Sequence, residues 1–316
     1  MEFKLAYTLN NLAKYRARLG RHEESLEAAC QAVALCQSHS ETKWSLENQH
    51  EINERRAFSL NFRAKSLLHL RRFEEAITDA KDAVRIFRAL GKQKNDRELA
   101  YSLCLQAQCL RHRYGYQEAL SLLYEAKELY QTLGSRWSLD YAHCLRNMSK
   151  CLAQLRRPED AYKAADESLS VHWKLKDTEP DKFHFDDFSS TLMVVVYCLT
   201  CLGRHEEACH FMHDVVEGRR ELSKNNLAPN GLNLAISLCQ LADCLHNLGF
   251  YDDAAMHIAE AEALRRRLGF DPERKADINF NLALSFKSLD KRLQHHKSRR
   301  GNDAGQEMNL YDSWEA

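Results

Sequence analysis

The stretch LGRHEESLEAACQAV, residues 19–33, decides the fold, because related stretches recur five more times along the chain. Each copy joins a short polar turn to an acidic pair (Gln117–Glu118 in the third copy), a small residue and an apolar helical pattern. The other copies are LRRFEEAITDAKDAV (70–84), RYGYQEALSLLYEAK (113–127), LRRPEDAYKAADESL (155–169), LGRHEEACHFMHDVV (202–216) and LGFYDDAAMHIAEAE (248–262). Repetition at this period indicates stacked supersecondary units.

The small residue after each acidic pair is an anchor by which the six units can be compared. The anchors are Ser25, Ala76, Ala119, Ala161, Ala208 and Ala254, with spacings of 51, 43, 42, 47 and 46 residues. Small residues also recur twelve positions before each anchor, at Ala13, Ala64, Ala107, Ser149, Val196 and Ala242, and seven after it, at Ala32, Ala83, Ala126, Ser168, Val215 and Ala261. Small side chains at these positions let two helix backbones approach closely, so each unit is predicted to be a hairpin of two amphipathic helices.

These patterns predict the helix boundaries. First helices are predicted at 4–19, 55–70, 97–112, 139–155, 187–202 and 232–248, and second helices at 22–38, 73–90, 116–133, 158–175, 205–222 and 251–268. A further helix at 275–289 is predicted to cap the stack, and longer linkers are predicted at 39–54, 176–186 and 223–231. Gly20, Gly203 and Gly249 follow first helices, where a left-handed cap favours glycine. Pro158 opens a second helix, where its missing N–H costs nothing.

The composition restricts the classes of partner and compartment. Lysine plus arginine and aspartate plus glutamate number 45 each, so no net charge steers the chain to nucleic acid or a membrane. No apolar run approaches the length of a membrane span. Eleven cysteines without a signal peptide predict reduced thiols and a cytoplasmic location, with the nucleus as the alternative.

Residues 1–289 are predicted to form one superhelical domain and residues 290–316 a polar, disordered tail. Because helical periodicity begins almost at Met1, the chain is expected to be a piece of a longer protein.

Sequence motifs for catalysis or metal binding are weak. The chain contains no phosphate-binding loop, dinucleotide fingerprint, zinc-protease motif or nucleophile elbow. The cluster Cys198, Cys201, His205, Cys209 and His210 has the chemistry of zinc ligands. However, Cys198 stands ten residues before its anchor, and Cys109, Cys151 and Cys244 hold the same position in three other units. A position that is repeatedly cysteine suits a small buried side chain. We therefore predict no enzyme activity, no cofactor and no metal.

The three small positions per unit, with Phe73, Tyr116 and Tyr251 three residues before their anchors, resemble the tetratricopeptide repeat (TPR) family. The period of 42–47 residues and the string LNNLA at 9–13 are similar to the kinesin light chain subgroup. The resemblance covers residues 3–289, about nine-tenths of the chain. It implies an all-α fold: a right-handed α-solenoid of about six TPR-like hairpins with a C-terminal capping helix.

In proteins of this family the first helices line a concave groove that binds peptides. By resemblance, the groove residues of this chain are Asn10, Lys14, Arg18, Asn61, Lys65, Tyr101, Gln108, Arg111, Arg146, Lys150 and Tyr197. Lys14, Lys65 and Lys150 share one repeat position, which favours an acidic peptide. The predicted function is a non-catalytic protein-binding scaffold. The alternatives are a regulatory or sensor TPR module of a larger multidomain signalling protein and an RNA-binding helical repeat.

Overall fold

The computed structural model describes residues 2–40, 46–91, 95–134, 138–225 and 227–268, together with Gln294. Within these residues the regular structure is helical throughout, so the prediction of an all-α chain is confirmed. The α-helices are α1 (Glu2–Arg18), α2 (His22–Ser40), α3 (Leu46–His69), α4 (Phe73–Leu90), α5 (Asp96–Arg111), α6 (Tyr116–Leu133), α7 (Ser138–Gln154), α8 (Pro158–Thr178), α9 (Phe185–Cys201), α10 (His205–Asn225), α11 (Leu227–Asn247) and α12 (Tyr251–Arg267). A short 3₁₀ turn, Pro180–Lys182, precedes α9.

The helices form two compact units. The first contains α1 to α7 together with Ser170–Leu175 of α8, and the second contains the rest of α8 and α9 to α12. In the first unit each helix packs against the next, and the first helices α1, α3, α5 and α7 also contact one another in succession. In the second unit, α9 to α12 pack as consecutive neighbours. Each unit is thus a stack of helical hairpins.

The small residues of the repeat lie where the hairpins close. All six anchors are buried, and so are all the small residues twelve before and seven after them. Ala13, Ala64 and Ala107 have no exposed surface at all, which leaves no room for a longer side chain between the paired helices. The predicted close approach of the two helices in each hairpin is confirmed for the pairs that lie within one unit.

Two predicted linkers are wrong. The segment 39–54 is largely helical, because α2 continues to Ser40 and α3 begins at Leu46, about two turns before its predicted start. The segment 223–231 is also largely helical, because α10 ends at Asn225 and α11 begins at Leu227. Pro229 is the third residue of α11, where the backbone N–H has no partner within the helix and proline is tolerated. The predicted capping helix at 275–289 and the tail at 290–316 lie outside the described ranges, apart from Gln294.

All six turns that end the first helices have the same backbone hydrogen bonds. At the second turn, for example, Arg71 N–H donates to the Leu68 carbonyl and Arg72 N–H donates to the Leu67 carbonyl. This pair of bonds is the Schellman motif, whose central residue takes a left-handed conformation. Glycine holds that position in three turns, as predicted (Gly20, Gly203 and Gly249). In the other three it is held by Arg71, Tyr114 and Arg156, at φ values of 61°, 61° and 56°.

Substitutions at these turns are expected to change stability in opposite directions. Arg156→Gly should raise the free energy of unfolding by about 1 kcal/mol, because a residue with a Cβ is strained in this conformation. Gly203→Ala should lower it by about 1 kcal/mol. An added Cβ at Gly203 would meet no atom within 4 Å, so the cost comes from the backbone alone. Urea denaturation followed by circular dichroism measures both changes, and shifts of the same sign would contradict the assignment.

Candidate functional site: the cleft between helices α1 and α3

A cleft of about 850 Å³ lies between the first helices of the first two hairpins, α1 and α3. Both helices belong to the first unit. The lining residues are Tyr7, Asn10, Asn11 and Lys14 from α1, and His50, Glu51, Glu54, Arg55, Phe58 and Phe62 from α3. A cleft of this size can hold a ligand, and it combines three aromatic side chains with seven polar or charged ones.

Packing behind the cleft holds its aromatic walls in place. Phe58 packs edge-on against buried Phe87, with 5.6 Å between the ring centroids. Phe62 packs against a cluster of buried alanines at the α1–α2 hairpin. Tyr7, in contrast, is 61% exposed and stands at the rim. The cleft therefore has two fixed apolar walls and one aromatic side chain that is open to solvent.

Asn10 joins the two helices of the cleft through a directed hydrogen-bond chain. Its Nδ2 donates to Ser59 Oγ at 2.9 Å, and Ser59 Oγ in turn donates to the Arg55 carbonyl at 3.0 Å. Because the serine proton is used on the carbonyl, the serine oxygen must accept from the amide, which fixes the orientation of Asn10. Its Oδ1 is buried and has no hydrogen-bond partner. Asn10 therefore helps to line the cleft, while its Oδ1 stays buried inside the protein without a partner.

The same arrangement recurs one hairpin later. Asn61 Nδ2 donates to Ser102 Oγ at 2.8 Å, and Ser102 Oγ donates to the Glu98 carbonyl at 2.8 Å. Asn61 Oδ1 is likewise buried and without a partner. Asn61 lies between α3 and α5 and does not line the cleft. The two asparagines thus hold successive first helices together, a role that the sequence pattern did not predict.

The charges of the cleft are balanced. Lys14 is exposed on α1, and Arg55 pairs with Glu51 on α3, with 2.6 Å between Nη2 and Oε1. Glu54 adds a second carboxylate. Two cations and two carboxylates therefore face the same space, so the cleft suits a ligand that carries both donors and acceptors.

Farther along the first unit, histidines stack between consecutive hairpins. His22 stacks on His69 with 4.4 Å between ring centroids, and Phe73 stacks on His112 at 5.1 Å. Burial, together with the neighbouring His22 and Lys65, lowers the pKa of His69 to about 4. The predicted groove residue Lys65 therefore lies close to the His22–His69 stack.

His112 has an environment similar to that of His69. Burial, together with the charges of Arg111, Lys150, Arg71 and His69, lowers its pKa to about 3. Arg111 Nη2 lies 3.1 Å from His112 Nε2. Because a guanidinium can only donate, this ring nitrogen is the acceptor and the imidazole is neutral. The predicted groove residues Arg111 and Lys150 thus surround His112, although Arg111 is itself buried.

The remaining predicted residues are more scattered. Arg18 is exposed at the end of α1, and Gln108 and Arg146 are half-buried on α5 and α7. Tyr101 is also half-buried, and desolvation together with nearby Asp140 raises the pKa of its phenol to about 12. Tyr197 is buried in the second unit. The structure therefore brings Asn10 and Lys14 into one cleft and places Lys65, Arg111 and Lys150 around the histidines.

Sequence reasoning missed several residues of the cleft, among them His50, Glu51, Glu54 and Arg55. The first three lie on turns of α3 that the pattern assigned to a linker, and Arg55 stands at the predicted start of the helix. The missed signal was local composition, since residues 46–54 contain glutamate and glutamine but neither glycine nor proline. An uninterrupted stretch of helix formers before a periodic pattern favours an earlier helix start.

All eleven cysteines lie in described positions and are free thiols. Cys198 and Cys209 are buried, whereas Cys201 is exposed. Across the described ranges, no three His, Cys, Asp or Glu side chains are grouped so that they could hold a metal ion. In the same part of the chain, no helix has both the length and the apolar character that crossing a bilayer requires.

Known structures with the same arrangement of helical hairpins are numerous. BtubC (BKLC) from P. vanneervenii is 14% identical with a TM-score of 0.63, and the match covers 81% of this chain and 97% of that one. A putative kinesin light chain of Podosopora anserina with nearly identical TPR-like repeats is 16% identical with a TM-score of 0.52, covering 71% and 97%. The chain has a TPR-like fold. At identities of 14% and 16%, this similarity shows that the chains share a fold and shows nothing about a shared function.

Another similar structure contains the TPR-like fold as part of a longer chain. The Signal Transduction ATPase with Numerous Domains (STAND) from Pyrococcus horikoshii, with a tetratricopeptide repeat sensor, is 13% identical with a TM-score of 0.59. The match covers 93% of this TPR-like chain and 39% of that one. No protein-family model matches the sequence, and a comparison with curated proteins gives no match.

Proposed function

We propose that this TPR-like chain acts as a protein-interaction module, without catalysis of its own, and binds an extended segment of a partner protein in the α1–α3 cleft. The observation that carries the proposal is the cleft itself, whose aromatic walls Phe58 and Phe62 are held in place by packing behind them. An apolar side chain of the partner would fill the space beside Phe58 and Phe62. The similar structures, several of which are named for TPR repeats, support an interaction role.

Tyr7 and Tyr15 provide a matched test of the cleft. Both belong to α1 and both are 61% exposed, but only Tyr7 lines the cleft. Peptides would be selected from a random twelve-residue library on the immobilised chain, and their Kd measured by fluorescence polarisation. Tyr7→Ala is expected to weaken binding about tenfold, as for the loss of an aromatic contact at an interface. Tyr15→Ala should change Kd less than twofold, and equal effects of the two substitutions would refute the assignment of the cleft.

An acidic preference of the partner forms part of the same proposal and rests on Lys14, Lys65 and Lys150. The selected peptides would be remeasured against a variant in which all three lysines are replaced by glutamate. Loss of binding by acidic peptides alone would support the preference. If acidic and neutral peptides lose affinity equally, the lysines do not select by charge.

A second candidate function is a sensor module of a larger signalling protein. The match to the Pyrococcus horikoshii protein favours it, because that protein is described as containing a tetratricopeptide repeat sensor. The cleft would then bind a segment of the same polypeptide or its effector. Locating a nucleotide-binding domain in the same gene product would favour this function over a free-standing scaffold.

The free thiols agree with a reducing compartment, for which we propose the cytoplasm, with the nucleus as alternative.

A further inference from the structure

Three consecutive turns of the first unit keep a strained residue where glycine would fit better. Arg71, Tyr114 and Arg156 have positive φ values at the central position of their Schellman turns. The hydrogen bonds of these turns are made by backbone groups, so they do not require these side chains. Substitution by glycine would remove this strain, yet the strain recurs in three turns. This recurrence suggests that the side chains have a role other than folding.

The three side chains are also directed to solvent rather than into the core. Tyr114 packs edge-on against Tyr116, with 6.2 Å between ring centroids, and is still 75% exposed. Arg71 and Arg156 are exposed, and neither guanidinium makes an ion pair or hydrogen bond with a described residue. These side chains therefore add little to the stability of the turns.

The other arginines at these turns behave differently. Arg72 forms a two-bond pair with Glu75, with both N–O distances at 2.7 Å, and Arg113 pairs with Glu74. Their charges are locally neutralised. Arg71 and Arg156 thus remain as two separate cations, rather than as part of a continuous basic surface.

The three residues lie in order along one edge. α3, α5 and α7 contact one another in succession, so their final turns are neighbours and Tyr114 lies between Arg71 and Arg156. Packed helices are about 10 Å apart, which separates the two arginines by about 20 Å. About six residues of extended chain span this distance. We name the three residues the turn edge.

We propose that the turn edge binds an acidic segment of a partner protein, with carboxylates on Arg71 and Arg156 and an apolar side chain on Tyr114. Bidentate arginine–carboxylate pairs need guanidinium groups without an internal partner, as found here. A single-stranded nucleic acid fits less well, because its continuous backbone charge is normally followed by a positively charged groove, whereas the turn edge offers two separate cations. The turn edge is separate from the α1–α3 cleft and does not depend on it.

The test combines stability with binding in one variant, Arg71→Gly/Tyr114→Gly/Arg156→Gly. The probe is the fluorescein-labelled peptide Glu-Glu-Gly-Ser-Phe-Gly-Ser-Glu-Glu, whose terminal acidic pairs are about 23 Å apart when extended. The variant is expected to have a melting temperature higher by roughly 5 °C, because the strain is removed. It should nevertheless bind the peptide about tenfold more weakly. A merely structural role for these residues could not produce both changes.

A second triple variant controls for the loss of charge and of an aromatic ring. Tyr15→Ala/Lys81→Ala/Arg85→Ala removes the same numbers of phenols and cations from exposed helix positions. It should change peptide affinity less than twofold. The proposal is overturned if the two triple variants weaken binding equally, if the glycine variant binds as tightly as wild type, or if wild type does not bind the peptide. Tighter binding of a ten-residue oligouridylate than of the peptide would assign the turn edge to RNA instead. Tyr7→Ala should leave binding of this peptide unchanged, which separates the turn edge from the cleft.

Discussion

Asp79→Ala is expected to lower the free energy of unfolding by about 3 kcal/mol, because it leaves the Arg63 guanidinium without its counter-charge. Arg63 Nε and Nη2 lie 2.6 and 2.5 Å from the two carboxylate oxygens of Asp79. The Asp79 side chain is only 7% exposed and that of Arg63 27%. The hydrogen bond to Asp79 raises the pKa of Arg63 in the native chain. The guanidinium also stays charged without Asp79, because arginine is not deprotonated in proteins, so deprotonation cannot offset the lost partner.

The repeat explains why this pair is sensitive. Arg63 occupies the position that is Leu12 in the first hairpin and Leu241 in the last, and Asp79 occupies the position that is Ala28 in the first hairpin. An apolar pair is therefore the ordinary occupant of this space. The double variant Arg63→Leu/Asp79→Ala installs the residues of the first hairpin and should recover most of the lost stability.

Glu75→Ala is the matched control, since it breaks an exposed arginine–carboxylate pair on the same helix, α4. Its cost should stay below about 1 kcal/mol. Urea denaturation of the three variants measures the differences. Equal costs for Asp79→Ala and Glu75→Ala, or no recovery in the double variant, would show that burial does not decide the strength of the Arg63–Asp79 pair.

Lowering the pH from 7 to 4.5 is expected to destabilise the chain by about 3 kcal/mol through His69 and His112. Their folded-state pKa values are about 4 and about 3, below the 6.5 of an unperturbed histidine. Between pH 6.5 and those values the unfolded chain binds protons that the folded chain does not, so stability falls as the pH falls. One pKa unit corresponds to about 1.4 kcal/mol, and partial solvent exposure of the rings reduces the full value.

The variant His69→Gln/His112→Gln isolates this contribution, because other titrating groups are common to both proteins. Between pH 7 and pH 4.5 the free energy of unfolding of the wild type should fall by about 3 kcal/mol more than that of the variant. His184→Gln, at an exposed position, is the control and should keep the wild-type pH dependence. Parallel curves for wild type and the double glutamine variant would show that the two histidines are not kept neutral by the fold. Denaturant unfolding at several pH values provides the measurement.

Most of the helix boundaries could be predicted because their signals are local. The second helices α4 and α6 begin and end where the periodicity placed them, since an acidic first turn follows each polar turn and small residues recur at fixed offsets. The start of α3 could not be predicted in this way. Most of its first residues are polar, and among residues 49–54, whose burial the structure describes, Ile52 alone is fully buried, so no periodic apolar face marked them as helical.

The candidate site was predictable only in part. Lys14 and Asn10, both predicted as groove residues, line the α1–α3 cleft, but their neighbours Glu51 and Glu54 come from the misassigned segment. Asn10 was expected to face a peptide, but in the structure its Nδ2 donates a hydrogen bond to Ser59 on the next hairpin. The partner of a buried amide depends on which helix lies beside it.

The sequence by itself determined the number of hairpins in the described chain, the positions of their turns and the small residues at which the helices close. Helix periodicity and turn chemistry act over fewer than twenty residues, so they can be read directly from the order of amino acids. Only the tertiary structure decided that Arg63 pairs with Asp79, that Asn10 bonds to Ser59 and that Arg71, Tyr114 and Arg156 take a glycine conformation. The two side-chain contacts join residues on different helices. The strained turns persist because packing of the helices on either side fixes the backbone path, whichever residue stands at the turn.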